Sequence, residues 1–280
     1  MIKRFANLLL VALLITSLLP IDIAYAVSGF DPDNGDLTNG LINYYNLDDV
    51  TDAVGSVDLT NNNSATFSIG KIGNALTDGS DTNNRYLSAN TSLVNPGNTN
   101  NSMSFWFQVD KDPDNGQQVS LINLQDTTSD VVMTIIYIQS GGTIGYRFRR
   151  NKFGGTFTEI NHTETMSLDT WHHIVFVYDG TDIRAYVNNV ATVTVGSNDG
   201  TGSIDIADRF SIGPDGDGEG VSNSDIVLGM DETGIWNRAL SVSEIADLYN
   251  SGNGNAYRPL PHGIVIDSGN VIIDNAELEI

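Results

Sequence analysis

Trp171-His172-His173-Ile174-Val175-Phe176-Val177-Tyr178 is the stretch that decides the fold. In an extended chain successive side chains point to opposite faces. One face here carries His172, Ile174, Phe176 and Tyr178, and the other carries Trp171, His173, Val175 and Val177. Both are largely apolar, which describes a strand covered on two sides rather than one half-open to water. Asp179-Gly180-Thr181-Asp182 follows, then residues 183–187, then Val187-Asn188-Asn189-Val190 and residues 191–195. Gly and Asn stand where tight hairpin turns need positive φ, so the region reads as consecutive antiparallel strands.

Outward from this centre the same pattern repeats. Residues 102–109 hold Phe105-Trp106-Phe107, and 119–124, 131–138, 143–149, 210–212 and 233–236 follow at strand-like spacing. Short strands, Gly/Asn turns and no alternation with helices mean an all-β, two-sheet antiparallel sandwich. One short C-terminal helix interrupts it. Ser241-Val242-Ser243-Glu244 is a capping box, after which Ile245, Leu248 and Tyr249 share a face and Gly252 is placed to terminate the helix. Two turns do not hold alone in water, so that face docks on the sandwich.

The chain has 280 residues, with 35 acidic against 13 basic and a net charge of −22. Nucleic acid and anionic membrane surfaces are excluded as partners, since both require a positive face. The 40% apolar content, with ten Tyr and ten Phe, suffices for a core. Absence of cysteine excludes disulfides, thiol catalysis, Cys-bound zinc and a lipidated Cys anchor. Residues 1–26 read as a secretory signal: Lys3 and Arg4, an apolar run over 8–19, then Ala24-Tyr25-Ala26 for cleavage. The run is too short to span a bilayer, so no stable membrane span survives cleavage and the product is secreted, extracellular or at the cell surface. Residues 27–39 form an extended leader, 40–252 the folded domain, and 253–280 a linker with Pro259 and Pro261 leading to a β-hairpin around Ser268-Gly269-Asn270.

Several blocks taken in order resemble a known family. They are Gly40-Leu41-Ile42-Asn43-Tyr44-Tyr45 with Leu47-Asp48-Asp49, Gly70-Lys71-Ile72-Gly73-Asn74-Ala75-Leu76 with Asp78-Gly79, and Ser104-Phe105-Trp106. The Trp171 strand with its hairpin follows, then Gly229-Met230-Asp231-Glu232, Ile235-Trp236-Asn237-Arg238-Ala239-Leu240-Ser241, Glu244-Ile245 and Leu248-Tyr249. Together they are similar to the laminin-G-like (LamG-like) domains of the concanavalin A-like jelly-roll superfamily, in the form common in bacterial secreted proteins. The resemblance implies a concanavalin A-like jelly roll over about residues 40–252.

Glycoside hydrolases share that superfamily, and retaining hydrolysis needs two carboxylates about 5.5 Å apart. On a sheet such acids alternate at i, i+2 and i+4, and no strand here carries that pattern. Asp231 and Glu232 are adjacent and are expected on opposite faces. His172 and His173 match the family's structural strand start, and no nucleophile elbow, zinc helix or phosphate loop occurs. No residue is assigned a catalytic role, and the chain is read as a non-enzyme.

Calcium, a hard cation taking oxygen ligands, is the expected cofactor, in a structural role. The resemblance places Asp231 as ligand, with Asp48 or Asp78 nearby and backbone oxygens completing the shell. A weaker candidate is the loop holding Asp215, Asp217 and Glu219, which lacks the bidentate twelfth ligand because Ile226 stands there. Glycan-binding candidates are Tyr137, Tyr146, Arg147, Arg149 and Phe153, where aromatic faces stack on sugar rings and arginines bind carboxylates or hydroxyls. The leading expectation is therefore a secreted recognition or adhesion domain for a glycan or surface polymer. The alternative is an assembly subunit of an extracellular layer or filament, self-associating through its C-terminal strands.

Overall fold

The computed structural model of the chain describes residues 29–30, 36–80, 85–89, 100–110, 118–125, 131–140, 143–152, 156–163, 166–196, 209–213, 227–257, 265–267 and 270–272. The expected signal over 1–26, Phe153, and the loop with Asp215, Asp217 and Glu219 lie outside the described residues.

The strands are β1 (Gly29–Phe30), β2 (Leu41–Tyr45), β3 (Thr60–Asn62), β4 (Phe67–Ile69), β5 (Asn74–Ser80), β6 (Tyr86–Ala89), β7 (Asn101–Val109) and β8 (Gln118–Gln125). They continue as β9 (Val131–Ser140), β10 (Thr143–Lys152), β11 (Thr156–Thr163), β12 (His172–Tyr178), β13 (Asp182–Val187), β14 (Val190–Gly196), β15 (Arg209–Ile212) and β16 (Val227–Trp236). After the helix α1 (Val242–Tyr249) come β17 (Ala256–Tyr257), β18 (Val265–Asp267) and β19 (Asn270–Ile272). Two large antiparallel sheets result. One runs β11-β10-β9-β8-β15-β6-β3, and the other runs β14-β13-β12-β7-β16-β5-β4, with β2 also on β16.

The two-sided strand reading holds. Ile174, Phe176 and Tyr178 enter the core between the sheets with Phe105, Phe107, Ile122, Leu124, Phe210 and Ile212. Val175 and Val177 lie on the opposite face, in a second cluster with Tyr44, Trp236, Ile245 and Leu248 under the helix. The eight-stranded sheet is thus the middle of three layers, which is why β12 is apolar on both faces from Ile174 to Val177. Tyr45 stacks on Phe210 with ring centroids 5.7 Å apart, joining the two sheets across the core.

Both hairpin turns form as their residues require. Asn188 and Asn189 take φ of 49° and 64°, and Gly180 takes 93°. The helix begins at the Ser241 capping box, but its left-handed terminus is Asn250, at φ 46°, rather than Gly252. Asn tolerates that conformation, so the helix ends two residues before the expected glycine. The tail hairpin pairs Val265 with Ile272 and Asp267 with Asn270, in a two-stranded sheet of its own. Among the described residues, no helix is long and apolar enough to cross a membrane.

Candidate functional site

Two places gather chemistry-bearing residues. The first is where β16 changes neighbours. β5 pairs with β16 up to Met230, β2 takes over from Thr233, and the register on β7 slips between Asp231 and Gly234. A bulge of this kind breaks the alternation of faces. Glu232 takes φ 51°, and both acids reach the helix-side layer instead of opposite faces as expected. Asp231 accepts the backbone N–H of Lys71 at 2.8 Å and of Ile72 at 2.9 Å. Glu232 accepts the hydroxyl of buried Tyr44, which itself accepts the backbone N–H of Tyr257.

Asp231 is fully buried, and its Oδ1 has no hydrogen-bond partner. Burial pushes its carboxyl far above the usual carboxylate range, to about 8, against the pull of backbone N–H groups, while the Asp48 charge raises it further. Asp48 holds the other side of the same loop, accepting the backbone N–H of Asn74 at 2.5 Å. Gly70 is required between them, because a Cβ there would run into Ala75 and lie 2.7 Å from Asp231 Oδ2. Lys71 Nζ sits 4.6 Å above the Trp106 ring, and burial lowers its pKa while the Asp231 charge opposes the shift. Asp78 lies in β5, and its side chain is outside the described set. Among the described residues, no three His, Asp or Glu side chains gather into a metal-ligand group.

Nearby, His173 Nε2 lies 2.8 Å from Ser104 Oγ, both buried, and the His173 ring is tilted against Trp106 and stacked on Tyr249. Burial pushes His173 down to about 3, so the imidazole is neutral. His172 Nε2 contacts the carbonyl of Ser167 at 3.0 Å, and Arg238 pins the helix entry through Glu244 and the carbonyl of Asn39. His173 is thus held by a buried hydroxyl, and His172 and Arg238 contact backbone carbonyls.

The second place is the outer face of the seven-stranded sheet. Thr60, Ser88, Ser211, Asn123, Thr134, Arg149 and Glu159 register with one another in sequence across all seven strands. Their neighbours Leu87, Phe210, Ile212, Ile122 and Leu124 face the core, so this line lies on the side away from it. Ser88, Ser211 and Asn123 are buried, and Ser211 Oγ has no hydrogen-bond partner. Tyr86 precedes Ser88 by two residues and Arg209 precedes Ser211 by two, at opposite ends of the Ser88–Ser211 pair. Arg209 donates to the Tyr86 hydroxyl at 3.1 Å, and its guanidinium lies 5.7 Å from the ring centroid. The two side chains therefore arch over the serine pair.

Register divides the glycan candidates. The positions of Arg147 and Arg149 fall on this outer face, whereas Tyr137 and Tyr146 oppose each other on the core-facing side with Ile135 and Phe148. Tyr86 and Arg209 were missed. Their signal was the alternation Tyr86-Leu87-Ser88-Ala89 and Arg209-Phe210-Ser211-Ile212, polar on one face and apolar on the other.

Among solved structures, the chain is similar to the binding domain of Paraclostridial Mosquitocidal Protein 1, at 17% identity and a TM-score of 0.63, covering 76% of this chain and 52% of that one. It is also similar to the binding domain of botulinum neurotoxin DC in complex with SialylT, at 14% identity and 0.61, covering 77% and 52%. A third is a botulinum neurotoxin type C structure titled for cell entry dependent on two ganglioside molecules, at 15% identity and 0.62, covering 76% and 51%. The chain spans about half the length of these structures, and the likeness is one of fold. No curated protein matches the sequence. A laminin-G family described as the concanavalin A-like lectin/glucanases superfamily matches residues 81–246. With two antiparallel sheets, the docked helix and this match in agreement, the chain belongs to the concanavalin A-like lectin/glucanases superfamily.

Proposed function

We propose that the chain is a secreted, non-catalytic recognition domain that binds a glycan or surface polymer. The observation carrying this reading is the line of polar positions Thr60, Ser88, Ser211 and Asn123 on the side of the seven-stranded sheet away from Leu87, Ile122, Leu124, Phe210 and Ile212 in the core. Adjacent positions on such a line are separated by the regular strand spacing of about 4.8 Å. Sugar hydroxyls match that array. Non-catalysis is supported by where the carboxylates go: Asp231 is committed to the Lys71–Ile72 backbone and Glu232 to Tyr44, both buried. The SialylT complex and the ganglioside dependence printed for two structural neighbours are consistent with recognition.

Calcium belongs to the reading as a structural ion. The unpartnered Asp231 Oδ1 and the Asp48 carboxylate fit one edge of such a site, with Asp78 as a further candidate and backbone carbonyls and water completing the shell. When bound, the ion would neutralise two carboxylates that otherwise repel. The chain's own residues already hold the loop between them through Lys71, Ile72 and Asn74.

A second reading, assembly through the tail, is favoured by one observation. The hairpin of β18 and β19 is apolar at Val265, Ile266, Val271 and Ile272 and forms a sheet of its own, which is marginal in water without a partner. A glycan array on the full chain, with and without chelator, tests the first reading. Specific glycan signals support it. Silence, together with oligomers lost on removing 263–274, replaces it with the second.

A further inference from the structure

Strand β4 ends the eight-stranded sheet, and among the described residues no strand pairs with it on the side away from β5. Its bonds to β5 fix which backbone groups face that open side. Thr66 accepts the N–H of Thr77, and Gly70 donates to the carbonyl of Gly73, each at 3.1 Å. Bonded and non-bonded positions alternate in an antiparallel pair, so Ser68 turns its backbone groups to Ala75, while Phe67 and Ile69 turn theirs outward. Phe67 packs against the core, and Ile69, two residues on along the same face, is 88% exposed. Edge strands left single are ordinarily guarded by charges, prolines or bulges. β4 is short, but Phe67-Ser68-Ile69 holds neither charge nor proline and pairs with β5 without a register shift.

A matching element stands in the same sequence. Ile264-Val265-Ile266-Asp267-Ser268-Gly269-Asn270 is followed by Val271-Ile272-Ile273-Asp274-Asn275-Ala276-Glu277, so a run of three apolar residues and an Asp recurs after seven residues. Consecutive apolar residues are the pattern of a strand covered on both faces. The hairpin of β18 and β19 leaves an open edge on each strand, and two strands alone are marginal in water. The chain's own tail does not take the β4 edge, because β18 and β19 form a separate sheet. The tail of a second copy is the strand left to fill it.

We infer that β4 receives the tail hairpin of a second copy, which extends the eight-stranded sheet by bonding to Phe67 and Ile69 and covers the exposed Ile69 side chain. The inference rests on the tail-assembly reading and adds the surface that accepts the tail. The contact is heterologous: each molecule offers one tail and one edge, so copies join head to tail. Residues 264–280 carry Asp267, Asp274, Glu277 and Glu279 with no Lys or Arg, and they meet a body that is itself acidic. Salt screens this repulsion, so assembly strengthens as ionic strength rises.

The test uses the full chain, which has no cysteine of its own. Sedimentation over a range of protein and salt concentrations reads the oligomers. Ile69→Lys should raise the concentration needed for assembly by about tenfold or more. Its melting temperature should be unchanged, because the Ile69 side chain is exposed. Ile69→Cys is then mixed with chains carrying one cysteine each, at Val265, Ile266, Val271 or Ile272, which together cover both strands and both faces of the hairpin. At least one mixture should oxidise to a disulfide-linked pair containing one chain of each kind, identified by mass. Oligomers indifferent to Ile69→Lys but lost on removing 263–274, or tail cysteines that link only to one another, overturn the inference and leave tail assembly standing. A monomer at every protein and salt concentration removes both.

Discussion

Ser104 Oγ and His173 Nε2 lie 2.8 Å apart in a layer closed to solvent by Trp106, Tyr249 and the helix. On an open surface the pair would suggest a nucleophile and its base. Here neither atom can meet a substrate, and the second imidazole nitrogen, Nδ1, has no partner to orient it. The contact belongs to the packing of the third layer.

Acid should weaken the fold through this histidine. Burial depresses the folded pKa of His173 to about 3, against an ordinary value of 6.5. Between those values the unfolded chain binds the proton and the folded one does not. Stability is therefore complete above pH 6.5 and is lost as pH falls toward 3. At pH 5 the loss is about 2 kcal/mol. Denaturation at pH 7 and pH 5 should show a wild-type decline that His173→Gln reduces by about that amount. An equal decline in both would assign the acid sensitivity elsewhere.

Calcium should protect the fold, and more so at higher pH. The folded pKa of Asp231 is raised to about 8, above the ordinary 3.8, so the metal-free fold retains a proton that the unfolded chain releases. Metal-free stability should fall as pH rises from about 4 to 8, and calcium, taking the proton's place, should offset the fall. Melting with EDTA and with excess calcium at pH 5 and pH 8 checks this. The calcium-dependent rise should be larger at pH 8 and vanish in Asp231→Ala; a melt insensitive to both metal and chelator removes the ion from the account.

The helix entry is a further point of vulnerability. Glu244 caps the backbone N–H of Ser241 at 2.7 Å and binds Arg238, which in turn holds the carbonyl of Asn39. Glu244→Ala should cost about 2 kcal/mol by chemical denaturation, and Glu244→Gln, which keeps the cap, about half of that. Leu248→Ala, opening a cavity under the helix, should cost about 2–5 kcal/mol. Losses below about 0.5 kcal/mol would mean that the helix does not close the sandwich.

Much of this was legible in the chain. The two-faced apolar pattern of 172–178 required layers on both sides, and Ser241 with Glu244 marked the helix start, because each is a local rule written in neighbouring residues. What escaped reading depends on partners far away. Asp231 and Glu232 share a layer only because β16 exchanges β5 for β2 at that point and bulges. Tyr86 and Arg209 meet because β6 and β15 are neighbours, a pairing of segments 123 residues apart that no local pattern encodes. Tyr137 and Tyr146 were grouped with the arginines by sequence proximity, and a one-residue offset along each strand put them on the other face.

The central claim is recognition without bond breaking, and the recovered ligand tests it most directly. The purified full chain is incubated for a day with the glycan it binds best, calcium present, and the sugar is then analysed by mass spectrometry. Saturable binding with the glycan returned at its original length is the predicted result. Shortened products that disappear in a variant lacking Asp231 or Glu232 would contradict the claim and make the chain an enzyme.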